Sequence, residues 1–562
     1  MAASSWALLH SGMFRVHDYT HAARIGELLR ALQDGHFPVR WSANFGFGYG
    51  MPLFEFYAPL PFYVGALLYW LGVNITTSIK LLYLFCSLVT FWGTFQLGKR
   101  LFGRSGAILS AVALTLAPYR ALNLFVRGDL SEAWGIMALP WVLLGIVQVT
   151  KREKRGWWSL LFGLIVLFLS HNITTLLFIP VSVLFAIGYW LIEKRKIVSG
   201  LQMIGIYILA IGFAAFYIFP ALLEKDLTKV NGIFQGYFFY GNHFLLVRQF
   251  FEDKWGYGGS APWPYNGISF FFGYGQFLGL GIALIFLVRA AVLKMFKRPF
   301  FKKTFRTESF LLFGLFSALF LLTIFMTTFK SHCIWDHLSF MVVIQFPWRW
   351  LSVAIVMLSL LIGSGTLFIR SRFWRFFFAV ICSGVILIGN ARYFQPENFI
   401  DVTSSFYYTD ARRIRHDMSR TLNDYIPQQM TLDRLSKELP PIDVPYIVEP
   451  VFLNHTLLVS EKDAKILVDH VQEKLVQTNF VQPANVQFAV ADFPGWHVYL
   501  DGKIIPTTLT PLGNIFVKVP VGEHTVGVQF GDSPIRFWSD VVSAASAIIL
   551  LFLFVKLEVV KK

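Results

Sequence analysis

The chemistry-bearing side chains crowd into the first polar stretch, residues 13–63, where His17, Asp18, His21, Asp34, His36, Arg40 and Glu55 occur within a few turns of chain. Carboxylates and imidazoles exchange protons, and such groups cost several kcal/mol against lipid unless they serve a site. Beside them glycine alternates with aromatics in Phe45-Gly46-Phe47-Gly48-Tyr49-Gly50, with Arg40-Trp41 before the run and Glu55 and Tyr57 after it. Glycine with aromatics suits a backbone lying against a flat ligand face such as a sugar ring, or an aromatic belt at the membrane interface. A nucleotide fingerprint would need a strand before and a helix after; neither is read here.

Further groups recur in later polar stretches. PYRALNLFVRGDLSE carries Arg120 and Arg127, whose planar forks can hold a phosphate bidentately. Asp129 and Glu132 lie three apart, so a helix starting at Gly128 turns both to one side, either as part of a site or as caps. His171 sits in the tight turn Ser170-His171-Asn172, as an interfacial polar residue or a catalyst. Arg349 stands between two tryptophans in Phe346-Pro347-Trp348-Arg349-Trp350, as an interfacial anchor or as a grip on a lipid phosphate.

The elements that must position these groups are membrane spans. The chain has 562 residues, 55% hydrophobic and 15% charged, with 59 Phe and a mean hydropathy of +0.56. A soluble chain of this length carries far more charge. Apolar windows at 76–97, 105–122, 133–150, 157–171, 172–192, 200–220, 267–291, 308–329, 347–369, 376–391 and 537–556 give eleven to twelve transmembrane helices. The net charge of +16 lies in short basic clusters between them. That is the positive-inside pattern, so the partner it implies is membrane lipid and not nucleic acid. Counting crossings places every cluster on the cytoplasmic side if 57–72 lies along the surface. Loop 13–75 is then extracytosolic, as are 123–132, 221–266, 330–346 and 392–536. Cys86, Cys333 and Cys382 are far apart and form neither a disulfide framework nor a zinc site. No cleavable signal peptide is read, and MAASSWALLHSGMF is too short to span; it reads as the end of a first helix or as a surface anchor.

Within the first loop, Ala22, Ile25, Leu28, Leu29 and Leu32 recur at helical spacing, and Gly35 ends the helix. Asp18 falls in its cap region, so capping competes with chemistry as its role. From 392 the long apolar runs vanish. The reading is therefore an all-α polytopic membrane domain (1–391), an extracytosolic α+β domain (392–536) and a terminal span (537–562). In the middle domain 408–440 is partly helical. Strands start at VPYIVEPVFLN and TLLVS, a helix covers 461–476, and NVQFAVADF onward completes a β-sandwich. Asp501-Gly502 marks a hairpin, with Trp496 buried near it.

HDYTHAARIGELLRALQDGHFPVRW, GFGYGMPLFEFYAPLPFY, APYRALNLFVRGDLSEAW and LSHN together resemble a bacterial group described as 6-pyruvoyl-tetrahydropterin synthase-related membrane proteins. The tail FPGWHVYLDGK…VKVPVGEHTVGVQF is similar to the end of YfhO-like membrane proteins. The pterin name would require a His-rich zinc site, and the histidines here are dispersed. The group looks like the GT-C class of glycosyltransferases, which implies a large first outer loop with an essential acid and a lipid-phosphate sugar donor. The class acid maps onto Asp18, with Glu55 second and His17 and His21 as helpers.

The resemblance implies transfer of a sugar from a polyprenyl-phosphate donor to an envelope glycan or lipid acceptor outside the cytoplasm. A base takes the acceptor proton and cations steady the departing phosphate. Arg120, Arg127 and Arg349 are expected to converge on that phosphate, with Arg40, Trp41, Tyr49, Tyr57, Asp129, Glu132 and His171 around the substrate. A base opposite the leaving group inverts the anomeric centre. No metal ligands are assigned, and a divalent cation is left open as the cofactor. The alternatives are a flippase for lipid-linked glycans, which would need polar or broken mid-membrane helices, and a non-catalytic envelope scaffold.

Overall fold

The computed structural model describes residues 2–295, 306–431, 446–450 and 464–555. The expected strand TLLVS, most of the basic cluster from Lys294 to Arg306, and the terminal Lys561 and Lys562 lie outside them. The chain forms two compact units. One comprises Met1–Tyr19, Thr76–Ile211 and Phe234–Thr403; the other comprises Thr20–Ile75, Gly212–Ile233 and Ser404–Lys562.

Among the described residues, eight helices are long and apolar enough to cross a membrane, or nine if one broken pair counts as a span. The larger number read from sequence has three causes. Segments 76–97 and 105–122 fall in the stretch Ile75–Arg127, counted once, but it breaks at Gly103, φ 80°, and folds back, as the hydrogen bond from Arg120 to Ser87 requires, so both expected segments stand as separate helices. Segment 157–171 is the 16-residue helix Arg155–Ser170, short of the ~20 residues a span needs. Segment 200–220 is broken between Phe213 and Ala215.

In the first unit the most enclosed helices are Leu130–Thr150 and the stretch Pro347–Phe368, each with 94% of its apolar window buried. Met13 and Phe14 pair antiparallel with Ile400 and Phe399. Lys80 Nζ, on a helix, donates to the carbonyls of His10 and Gly12 at 2.6 and 2.8 Å, tying down the N-terminal residues.

In the second unit the first-loop helix runs His21–Gln33. Ala22, Ile25, Leu28 and Ala31 make its buried stripe, and Gly35, at φ +83°, ends it in the left-handed conformation glycine favours. Its N-cap position falls on Thr20. The following helix Leu60–Trp70 has 11 residues, too few to cross.

The C-terminal strands are β1 (Tyr446–Pro450), β2 (Ala464–His470), β3 (Glu473–Phe480), β4 (Ala484–Ala491), β5 (Trp496–Leu500), β6 (Lys503–Ile505), β7 (Thr508–Leu509), β8 (Asn514–Val519) and β9 (Gly522–Phe530). They form two antiparallel sheets, ordered β1-β4-β8-β7 and β2-β3-β9-β5-β6. Asp501 and Gly502, at φ 51° and 75°, make the expected β5–β6 turn. Trp496 is 5% exposed. Of the helix expected over 461–476, the described residues 464–476 instead belong to the hairpin β2–β3. Ile466, Leu467, Val471 and Leu475 match a helical period, but β3 alternates buried and half-buried positions. It pairs with β9 from Gly522↔Phe480 to Gln529↔Glu473, and that ladder outweighs local propensity.

Candidate active site

In the first unit the site is assembled around a turn. Residues Asn123–Arg127 wind as a π-helical turn that ends at Gly128, φ +67°. A Cβ on Gly128 would come within 2.5 Å of the Val16 side chain, so only glycine lets the N-terminal strand lie this close. There His17 N donates to Val126 O at 3.0 Å, and Asp18 N to Arg127 O at 2.9 Å. His17 also contacts Tyr257 O through Nε2 at 2.9 Å. Asp18 is half-buried.

Asp129 follows as the N-cap of helix Leu130–Thr150, its Oδ1 accepting from Glu132 N at 2.8 Å. The first helical turn brings Glu132 back toward Arg127. Arg127 Nη1 donates to Glu132 Oε2 at 2.5 Å and Nη2 to Asp129 Oδ2 at 2.8 Å. Tyr119 OH donates to Glu132 Oε1 at 2.7 Å. The Arg127 guanidinium lies 4.8 Å from the Trp348 ring centroid. The carboxyl of Asp129 stays well below its usual range: burial works against this, but Arg127, His171, the Glu132 N–H and Arg349 prevail.

His171 caps helix Asn172–Ile192, its Nδ1 accepting from Thr174 N at 3.2 Å. A neutral ring so held carries its proton on Nε2, and burial keeps it neutral by lowering its pKa. Ligand atoms of Asp129, Glu132 and His171 lie within 4.8 Å of one another. That spacing suits a divalent cation, but Arg127 already holds both carboxylates.

Arg349 gives Nη1 to Ile344 O at 2.8 Å and Gln345 Oε1 at 3.2 Å. Its Nε is buried with no acceptor among the described residues. Arg120 departs from the expected convergence. It is 1% exposed and donates to Ser87 Oγ at 3.0 Å, on the neighbouring helix and away from the carboxylates. Its position two residues into the short helix Pro118–Leu122 turns it that way, whereas Arg127 follows the π turn.

In the second unit the residues expected around substrate are packing residues. Trp41 and Tyr49 are 1% and 4% exposed. Trp41 packs edge-on against Trp496 at 5.4 Å, and Gly50, φ +77°, passes beneath its indole. The aromatics of the alternating run, Phe45, Phe47 and Tyr49, are likewise buried. Arg40 is clamped by Asp540 at 2.7 Å and the Phe216 carbonyl at 3.0 Å. Tyr57 lies beneath the Arg24 guanidinium at 4.0 Å, and Arg24 Nη1 reaches His21 Nδ1 at 3.4 Å.

Glu55 has no exposed surface and meets two groups the sequence gave no reason to join to it, Glu224 and Arg536. Arg536 Nε lies 3.2 Å from Glu224 Oε2 and 3.6 Å from Glu55 Oε2. Ser533 Oγ donates to Glu224 Oε1. Burial pushes Glu55 well above the carboxylate range, and its hydrogen bond to Glu224 keeps the proton in place. Burial would raise Glu224 too, but hydrogen bonds from Glu55 and Ser533 and the charge of Arg536 hold it low. Glu55 is thus biased toward its protonated form beside a carboxylate held low, which weakens it as a base. An Arg two residues into a membrane-length helix was the one available signal for this cluster. Glu27, also missed, accepts from Ser42 Oγ, Asn44 N and Asn44 Nδ2 at 2.8, 2.9 and 2.6 Å and fixes the start of the glycine run.

With its apolar helices, the chain is a multi-span membrane protein carrying a β-sandwich. Residues 54–250 match the family described as 6-pyruvoyl-tetrahydropterin synthase related domain, membrane protein. An uncharacterized protein of Lactococcus lactis subsp. cremoris (strain MG1363) is 26% identical over 246 residues, 42% of this chain and 39% of that one. Among solved structures, arabinofuranosyltransferase AftD from Mycobacteria is similar with a TM-score of 0.39 at 16% identity, covering 72% of this chain and 28% of that chain. Arabinosyltransferase EmbB from Mycobacterium smegmatis gives 0.33 at 11% identity, with 95% and 62% covered. In each case less than two thirds of the relative's length is spanned.

Proposed function

We propose that this protein is a GT-C-type glycosyltransferase of the bacterial plasma membrane. It moves a sugar from a polyprenyl-phosphate donor to a glycan or lipid acceptor on the extracytosolic face. The observation that supports this reading is the hydrogen bond from the Asp18 backbone N–H to the Arg127 carbonyl, which ties this half-buried residue to the turn that carries Arg127 and leads into the Asp129–Glu132 cluster.

In the reaction, the acceptor oxygen bonds to the anomeric carbon as the bond from that carbon to the phosphate oxygen breaks. Asp18 takes the acceptor proton, and polyprenyl phosphate leaves as the anion. Arg349, with its spare Nε–H, steadies that charge, while Arg127 is already paired with Asp129 and Glu132. His17 and His171 are positioning residues, one tying the Asp18 strand to Tyr257 and the other shaping the turn before Asn172. Attack from the face opposite the phosphate inverts the anomeric centre.

The test is incubation of purified protein in nanodiscs with radiolabelled polyprenyl-phosphate sugars and an envelope extract. Label moving from the lipid to an acceptor fraction supports the reading. Label that crosses the bilayer while still attached to the lipid would instead make the protein a flippase.

A further inference from the structure

In the first unit both arginines at the cluster rest on aromatic rings. Arg127 lies 4.8 Å from the Trp348 ring centroid and Arg349 lies 5.0 Å from that of Phe346. The two rings belong to one turn, Phe346-Pro347-Trp348-Arg349, and pack against each other at 5.0 Å. The turn is entered through Gln345 at φ +62°, a conformation an L residue keeps only where its surroundings fix it. Whatever aims the rings therefore aims the guanidiniums.

A chain of three hydrogen bonds reaches this turn from loop 236–267. Trp348 Nε1 donates to Ser260 Oγ at 2.9 Å, Ser260 Oγ lies 2.8 Å from His243 Nδ1, and His243 Nε2 lies 2.5 Å from the Tyr237 carbonyl. All three side chains are buried. The direction of the chain is fixed at both ends. A carbonyl only accepts, so Nε2 carries a proton, and an indole N–H only donates. A neutral His243 then accepts at Nδ1, and the Ser260 hydroxyl, which accepts from the indole, donates to it. Burial lowers the His243 pKa, as does the charge of Arg349, against the pull of the Tyr237 carbonyl, and this keeps the ring neutral. The His243 ring also packs on Phe346, at 4.6 Å and a steep angle.

Glycines place Ser260. Gly258 N donates to Gly267 O at 3.0 Å and Gly267 N to Gly259 O at 2.8 Å. A Cβ on Gly267 would stand 2.8 Å from Gly258 Cα, so the two arms of the loop close this tightly only without side chains.

We propose that His243 and Ser260 are positioning residues for the donor phosphate: they hold the Phe346–Trp348 platform and so set the angle at which the Arg349 fork meets a lipid phosphate. The inference rests on the transferase reading in that the phosphate is the donor's. Neither residue is assigned contact with the reacting atoms. A guanidinium seated over a fixed ring face keeps its planar fork in one orientation. A hydrogen-bond chain with a single direction gives the indole one orientation in turn.

The experiment uses the full chain in phosphatidylcholine nanodiscs, with 5-fluorotryptophan in place of tryptophan. The Trp348 fluorine resonance is assigned as the one missing in Trp348→Phe. Ser260→Ala and His243→Leu should both shift it. His243→Asn, whose side-chain carbonyl can accept from Ser260 where Nδ1 does, should return it toward the wild-type position. Binding of farnesyl phosphate is measured on the same proteins, with farnesol as the ligand lacking phosphate. Ser260→Ala should weaken farnesyl phosphate about fivefold and leave farnesol unchanged. It should also absorb the effect of His243→Leu, so that the double variant binds no more weakly than Ser260→Ala alone. A Trp348 resonance unmoved by Ser260→Ala, losses that add in the double variant, or equal losses for farnesyl phosphate and farnesol would each overturn the inference. So would wild-type protein that does not distinguish the two ligands. The predicted shifts and selective losses in a protein that transfers no sugar would support the positioning role and sink the transferase reading alone.

Discussion

Arg127 and Glu132, five residues apart on either side of a helix start, meet at 2.5 Å with the Glu132 side chain 1% exposed. The same guanidinium takes Asp129 on its other nitrogen. One cation thus pairs with two buried carboxylates, and its removal strips both of their direct ionic partner. Arg127→Met is expected to lower stability by about 3–5 kcal/mol. Arg127→Lys should recover only part, because an ammonium cannot fork to both acids or stack on Trp348. Thermal unfolding in detergent measures both; a Met variant as stable as wild type would remove this pairing from the account.

The Glu55–Glu224 pair makes a pH prediction with a definite sign. Glu55 has a folded pKa raised above its ordinary value of 4.5, so folding takes up a proton. Its contribution is fully present below about pH 4.5 and is lost as pH climbs toward the raised folded value. Glu224 has a lowered pKa, so its contribution is present above its ordinary value and is lost as pH falls through the folded one. Glu55→Gln copies the neutral acid and should gain stability relative to wild type as pH rises from about 5 to 8. Melting temperatures across that range that run parallel for the two proteins would refute the shared proton.

Gly50 makes a backbone prediction. Its φ is +77°, and a Cβ there would stand 2.3 Å from Trp41 Nε1. Gly50→Ala should cost roughly 2 kcal/mol or more, from strain and displacement of the indole. Tryptophan fluorescence and melting report the two effects separately.

What the sequence made legible was local. The helix His21–Gln33 declared itself by its apolar stripe and terminal glycine, and Asp501-Gly502 by the turn it requires. The turn 123–129 was legible as a cluster of groups, but not its winding, which separates Arg120 from Arg127 by sending one to Ser87 and the other to Glu132. The join of Glu55, Glu224 and Arg536 was hidden because these residues are far apart in the chain and no local pattern links them. The aromatic run misled for another reason: composition records that glycine and aromatics alternate, while the positive φ angles at Gly46, Gly48 and Gly50 decide which way the rings face. Residues 464–476 were misread because a helical period and a strand alternation coexist there, and pairing partners settle between them.

The proposed orientation is tested with a native thiol. Cys333 is exposed while Cys86 and Cys382 are buried. With loop 330–346 extracytosolic, an impermeant maleimide should label Cys333 on intact cells and Cys333→Ser should abolish the signal. Labelling that requires permeabilised cells would invert the topology and, with it, the face on which transfer is proposed.

The most direct measurement is the transfer rate of Asp18→Asn. The substitution keeps the shape of the side chain and its ability to cap a helix, but an amide accepts no proton at neutral pH. With Asp18 as the base, transfer from the radiolabelled donor should fall about 100-fold or more, while the melting temperature and membrane insertion stay those of the wild type. Near-wild-type transfer by the Asn variant would contradict the account, for it would leave Asp18 a structural residue and the cluster around Arg127 without its proposed base.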